Sequence, residues 1–165
     1  MMMSLAPYRE IAISNHTFAT EDTREVLSTR FGEIVIDTRN ALVFSKGLLG
    51  MPDRRRFALA SLKGEKMQHF KLLQSLDDPK LSFIVLPVAT DNAIIRKEDA
   101  YAASSSMGIH EEDLVILLIV CVHRTPGGTR LSVNARAPLL IDAARKTGSQ
   151  HVFPQDYYQV QHYVA

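Results

Sequence analysis

The run Leu114-Val115-Ile116-Leu117-Leu118-Ile119-Val120-Cys121-Val122 decides how this chain folds. Its nine apolar residues are too few to cross a bilayer as a helix, which takes about 20. β-Branched residues fill the run and no polar stripe recurs at helical spacing, so a strand is expected. Continuous apolarity requires cover on both faces, which makes this the central strand of its sheet. Cys121, inside the run, is expected to be a small buried hydrophobe rather than an activated nucleophile.

Downstream, Thr125-Pro126-Gly127-Gly128 supplies a hairpin turn with glycines suited to positive φ. The return strand Thr129 to Ala135 alternates, with Leu131, Val133 and Ala135 facing inward and Arg130, Ser132 and Asn134 facing outward. Further strands are expected from Leu139 to Asp142 and from Gln150 to Phe153. Upstream, Arg96 to Met107 holds helix formers without Gly or Pro, and Gly108 follows as a cap, so one short helix is expected. Leu81 to Val88 reads as a strand with Pro87, which lacks a ladder N–H, at its end or on an edge. Asp77-Asp78-Pro79-Lys80 is a turn, and residues 57–62 and 69–74 are short strands joined through Lys63-Gly64-Glu65. Phe31 to Asp37 and Ala41 to Phe44 are expected to pair as a hairpin across the polar cluster Asp37-Thr38-Arg39-Asn40. Phe31, Phe57, Phe70 and Phe83 are expected in the core.

Residues 1–26 show no sustained period and are expected to form a flexible arm, with residues 27–165 as one β domain. Hairpin-linked strands at this spacing predict a mostly β, single-domain, antiparallel barrel-like fold with one short helix. A chain of 165 residues is long enough to bury a self-sufficient core. Lys and Arg number 19 against 18 for Asp and Glu, a balance that argues against a dedicated nucleic-acid binder. A single cysteine excludes an internal disulfide and points to a reducing compartment. The start Met-Met-Met-Ser-Leu-Ala-Pro-Tyr-Arg lacks the pattern of a secretory signal, so a cytoplasmic protein without a membrane anchor is expected.

No catalytic constellation emerges. The six histidines fall in no metal-ligand spacing, and no cofactor or metal is expected. His110-Glu111-Glu112-Asp113 reads as a solvated acidic turn before the central strand. Gly127-Gly128 lacks the lysine of a phosphate loop, and Ser104-Ser105-Ser106 has no nucleophile elbow around it. A hydrolase would need His110 or Cys121 in a geometry the sequence does not supply. Arg54-Arg55-Arg56 leaves one alternative open, a small β module that contacts RNA directly through these three residues.

Several segments share the order and spacing of one family. They are Thr29-Arg30-Phe31-Gly32-Glu33, Gly47-Leu48-Leu49-Gly50-Met51 with Phe57, and Phe70 through Pro79, which contains Leu73-Gln74-Ser75-Leu76-Asp77-Asp78-Pro79. Ser82-Phe83-Ile84-Val85 follows, then Ser132-Val133-Asn134-Ala135-Arg136-Ala137-Pro138-Leu139-Leu140-Ile141. Over about residues 28–158 the chain resembles the flagellar assembly factor FliW family. The resemblance implies a non-enzymatic cytoplasmic protein that binds newly made flagellin as a chaperone. It also implies that, once flagellin is exported, the protein binds the RNA-binding regulator CsrA and lifts its repression of flagellin translation. The glycine loop reads Gly-Leu-Leu-Gly-Met where that family typically has Gly-Leu-Pro-Gly-Phe.

The residues of this chain add a location. Apolar Leu48, Leu49 and Met51 in a turn bracketed by Gly47 and Gly50 suggest a contact surface. The candidate partner-binding residues are therefore Gly47, Leu48, Leu49, Gly50 and Met51, together with Asp77, Asp78 and Asn134 of the two most specific segments.

Overall fold

The computed structural model describes residues 23–164. In chain order the first strands are β1 (Arg24–Thr29), β2 (Gly32–Asp37), β3 (Leu42–Val43), β4 (Arg56–Ser61), β5 (Lys71–Ser75) and β6 (Ser82–Val88). The helix α1 (Lys97–Ser106) comes next. It is followed by β7 (Leu114–Thr125), β8 (Gly128–Val133), β9 (Leu139–Asp142), β10 (Thr147–Gln150) and β11 (His162–Tyr163).

The apolar run becomes the middle of β7, and it serves two cores rather than one. Val115 and Leu117 join Leu42, Phe44, Phe57, Leu73, Val85, Leu139 and Ile141, side chains that meet from strands all round the sheet. Leu114, Ile116, Leu118 and Val120 point the other way, onto Ile94, Ile95, Ala100, Ala103, Phe153 and Tyr158. A period-2 strand lined on both sides in this manner has no position left for a polar residue, hence its unbroken hydrophobicity.

The sheet closes on itself. β7 pairs with β6, and the ladder continues through β5, β4, β3, β10 and β9, which returns to pair with β7 over Leu114 to Leu117. That ring is the barrel, and the first cluster fills it. All its neighbours are antiparallel except β3 and β10, which meet in parallel at Val43 and Thr147. Beyond Ile119, β7 changes partner and carries β8 over Val120 to Thr125, with β11 outside β8. Pro87 sits one residue from the end of β6, past Val85 where pairing with β5 stops, as its missing N–H requires.

A Cβ on Gly148 of β10 would lie 2.6 Å from the Phe44 ring and 2.7 Å from Ile141. Only glycine lets those two side chains meet inside the ring. On the outside, α1 ends in a Schellman motif: Gly108 takes φ 74°, Ile109 N–H donates to the Ser104 carbonyl and Gly108 N–H to that of Ser105, both at 3.0 Å. The acidic turn 111–113 is a solvent-facing 3-10 turn leading into β7.

Six expectations are corrected. β2 pairs with β1, Val26 opposite Val35, and not with β3, because Asp37 closes the polar cluster into a 3-10 turn by accepting from Arg39 N–H at 3.0 Å. That pairing also places Arg24, Glu25 and Val26 in β1, while the rest of the expected arm, residues 1–22, lies outside the described residues. Cys121 is exposed, since β7 at that point has left the ring, whereas Ser132 opposite it is buried between β7 and β11 with Oγ 2.7 Å from His123 Nε2. Phe31, at the tip of the β1–β2 hairpin, is exposed, although Phe57 is fully buried and Phe70 and Phe83 pack against the two cores. The late strand runs over Thr147–Gln150 and not over Gln150 to Phe153.

Candidate protein-binding loop

Strand register gathers the motif segments at one end of the ring. Phe57 pairs with Ser75, Gln74 with Ser82, Leu117 with Leu139, and Leu139 with Gln150. The β3–β4 loop, the β5–β6 loop, the start of β9 and the end of β10 therefore lie together.

The β3–β4 loop is built around a tight turn. Leu48 N–H donates to the Met51 carbonyl at 3.2 Å, and Met51 N–H returns to Leu48 at 2.8 Å. Gly50 takes φ 78° at the third position, the signature of a type II turn, whose second position suits proline. Here that second position holds Leu49, so an N–H is present and Gln150 Oε1 accepts it at 2.9 Å. Gly47 takes φ 65°, and a Cβ there would fall 2.3 Å from the Met51 carbonyl oxygen, so the turn closes only over glycine.

The β5–β6 loop fixes the far limb. Ser75 Oγ accepts from Asp77 and Asp78 N–H at 3.1 and 2.9 Å, and buried Gln74 donates Nε2 to the Ser75, Pro79 and Leu81 carbonyls at 3.0–3.1 Å. This aims the Asp77 carboxylate at β4. Its Oδ2 accepts from Arg55 and Arg56 N–H at 2.8 and 2.9 Å, while Oδ1 accepts from Arg56 Nε at 3.2 Å. The Arg56 and Arg55 backbone N–H groups and the Arg56 guanidinium favour the charged form and hold the Asp77 carboxyl below its ordinary range. Arg54 lies 3.7 Å from Asp78. Arg55 Nε donates to the Pro52 carbonyl at 3.3 Å, so all three arginines offered for RNA contact have partners within the loop pair.

The expected site residues separate by role. Leu48 is 3 % exposed and belongs to the ring interior, so its side chain is an anchor and not a contact surface. Leu49 is 55 % exposed at the turn tip, and Met51 is half-buried against the same interior. Asp77 and Asp78 shape the loops. Asn134 accepts from Ala137 N–H at 2.9 Å, a local turn bond that orders the segment leading into β9. The expectation missed Gln150, which joins the motifs by donating Nε2 to the Ala137 carbonyl at 3.1 Å while accepting from Leu49.

A closed, mostly antiparallel ring with one covering helix, and a fastened turn at one end, defines a β protein of barrel type. The sequence model described as FliW protein matches residues 25–164, and the chain belongs to that family. The flagellar assembly factor FliW of Thermotoga petrophila is 30 % identical over 142 residues, covering 83 % of this chain and 91 % of that relative. The flagellar assembly factor FliW of Syntrophus aciditrophicus is 27 % identical over 139 residues, covering 84 % and 85 %. A crystal structure of the flagellar assembly factor FliW superposes with a TM-score of 0.61 at 19 % identity, over 85 % of this chain and 95 % of that one, a likeness of fold. Among the described residues no helix is long and apolar enough to cross a membrane, and no cluster of His, Cys, Asp or Glu is placed to hold a metal ion.

Proposed function

We propose that this protein is a cytoplasmic, non-catalytic flagellar assembly factor that binds flagellin before export and, when flagellin is gone, binds a CsrA-type regulator and relieves translational repression. Family membership over nearly the whole described chain carries this reading. The fastened turn at the end of the ring supports it, because a loop held on both limbs offers a preformed surface and loses little freedom on binding. Flagellin binding is assigned to the Leu49 end of the ring. Export then changes which partner the protein holds, and linkage requires that flagellin and the regulator weaken each other by the same factor.

The test mixes the purified protein separately with flagellin and with CsrA from its own organism and separates the products by size-exclusion chromatography. A complex with each, and loss of the CsrA complex on adding flagellin, is the expected result. Absence of a flagellin complex at micromolar concentrations overturns the chaperone reading.

A further inference from the structure

The β1–β2 hairpin stands apart from the ring it covers. Among the described residues no ladder bond joins it to the nine-stranded sheet. On its inner face Ile36 is buried and Ile34 and Leu27 are half-buried, while Val26 and Val35, paired on the outer face, are each 63 % exposed. β2 packs on β4, and the tip reaches β6, where Arg30 Nη2 donates to the Ser82 carbonyl at 3.1 Å. That carbonyl faces no strand. The Leu81 carbonyl accepts from Ser75 N–H of β5, so the next one along turns away, and β7 joins β6 only from Val85. The Thr29-Arg30-Phe31-Gly32 motif shapes this latch. Thr29 Oγ1 accepts from Phe31 N–H at 3.1 Å and donates to the Gly32 carbonyl at 2.8 Å, and Gly32 takes φ 97°. The Arg30 guanidinium lies 4.8 Å from the Phe31 ring centroid.

Since β5 lies between β4 and β6, the hairpin crosses the outer face of β5, where period 2 places Leu72 and Gln74 on the side away from Leu73 and the ring interior. Gln74 is fully buried and its register partner Ser82 nearly so, yet Gln74 Oε1 and Ser82 Oγ have no hydrogen-bond partner. The Gln74 amide cannot turn over to mend this, because its Nε2 already donates to the Ser75, Pro79 and Leu81 carbonyls. Closing the hairpin therefore desolvates two polar atoms that opening returns to water. We propose that the β1–β2 hairpin is a flap, latched by Arg30, that opens while the ring stays folded, and that its closed position over Gln74 keeps the β5–β6 loop rigid at the Asp77 end of the ring. The packing of Ile36 and the Arg30 bond favour the closed state and the two orphaned atoms oppose it, which sets the free energy of opening below that of unfolding. Once released, a two-stranded hairpin has too little support to keep its own ladder. Water then competes for the Gln74 Nε2 bonds that aim Asp77 at the Arg55 and Arg56 N–H groups. This coupling holds whichever partner binds at that end.

The test is native-state hydrogen exchange of the full chain, read amide by amide by NMR. In the wild type the β1 and β2 amides should exchange at least tenfold faster than those of Leu73 and Leu117 in the ring. Arg30→Ala should accelerate the hairpin at least tenfold further, and the Arg55 and Arg56 amides with it, while Leu73 and Leu117 keep their rates. Ser82→Ala removes an orphaned hydroxyl and leaves the carbonyl that Arg30 holds, so it should act in the opposite direction and slow the hairpin at least threefold. Unchanged ring rates show that both variants are folded. One common rate for hairpin and ring in the wild type, or no acceleration in Arg30→Ala, overturns the latched flap. Faster or unchanged hairpin exchange in Ser82→Ala shows that its hydroxyl is satisfied, by a trapped water, and overturns the opposition between packing and the buried polar pair. Arg55 and Arg56 amides that keep their rates while the Arg30→Ala hairpin accelerates overturn the coupling.

Discussion

Tyr158 donates its hydroxyl to Asp99 at 2.6 Å and accepts the Arg96 N–H at 3.0 Å, so one buried phenol joins the C-terminal segment to the start of α1. Tyr157 reaches the same carboxylate at 2.5 Å and lies under the Arg96 guanidinium, 4.1 Å from its ring centroid. Burial and the Asp99 hydrogen bond raise the Tyr158 phenol far above its ordinary value. Tyr158→Phe removes both bonds and leaves the Arg96 N–H without its acceptor, at a cost of about 1–3 kcal/mol. Tyr157→Phe keeps the ring beneath Arg96 and should cost no more than about 1 kcal/mol. Urea titration of the two variants checks the order.

Acid should weaken the fold in two windows. His151 packs edge-on to Phe153 at 5.1 Å, and burial holds its imidazole below the ordinary value, so the unfolded chain takes up that proton at higher pH than the folded one. This contribution is present above pH of about 6.5 and lost as pH falls through the folded value. Asp99, held down by the hydroxyls of Tyr157 and Tyr158, and Asp77, held down by Arg56 and Arg55 N–H, follow the carboxylate rule. Their contributions are present above about pH 3.9 and lost as pH falls through the folded values. Denaturation midpoints measured against pH should show both slopes, and His151→Asn should remove only the upper one.

The glycines divide by what surrounds them. Gly148→Ala drives a methyl into Phe44 and Ile141 inside the ring and should cost about 1–3 kcal/mol by overpacking. Gly50→Ala meets nothing within 4 Å and pays only for its positive φ, about 1–2 kcal/mol. Calorimetry of the pair separates crowding from backbone strain.

Burial overrides alternation in β8. Val133→Asp places an uncompensated carboxylate at a position with no exposure and should cost more than about 4 kcal/mol, a large part of a typical total of 5–15. Ser132→Leu would be harmless on an outward face. At 1 % exposure it should cost about 1–3 kcal/mol. If Ser132→Leu melts with wild type in a thermal scan, Ser132 is not enclosed between β7 and β11.

What the sequence revealed was local. The Leu114 to Val122 run announced β7, and Gly108 after three serines marked the end of α1, because each signal lies within the element it describes. The partner of β2 was not legible: Asp37 to Asn40 carries turn residues, yet whether a turn becomes a hairpin depends on which strand waits beyond it, and β1 competes successfully. Cys121 and Ser132 exchanged places because period 2 assigns faces without saying where a strand leaves the barrel. At the site, Gly47 and Gly50 betrayed the turn through their backbone demands, and Asp77 and Asp78 were visible as turn formers. That Leu48 turns inward while Leu49 turns outward follows only from the bridge between Leu48 and Met51. Gln150 stayed hidden since its partner Leu49 lies 101 positions away.

The parallel contact between Val43 and Thr147 sets the order in which the molecule can be made. It joins segments roughly a hundred residues apart, and such a closure gains nothing until the intervening chain is in place. On the ribosome, β3 to β6 can hairpin together as they emerge, but the ring stays open until β10 has followed β9 out. Phe44 and Ile141, which meet over Gly148, remain wet until that moment. Closure should therefore be the slow step of refolding, and a chain truncated before Thr147 should collapse without cooperativity. Stopped-flow refolding should show the burial of Phe44 arriving with the last phase.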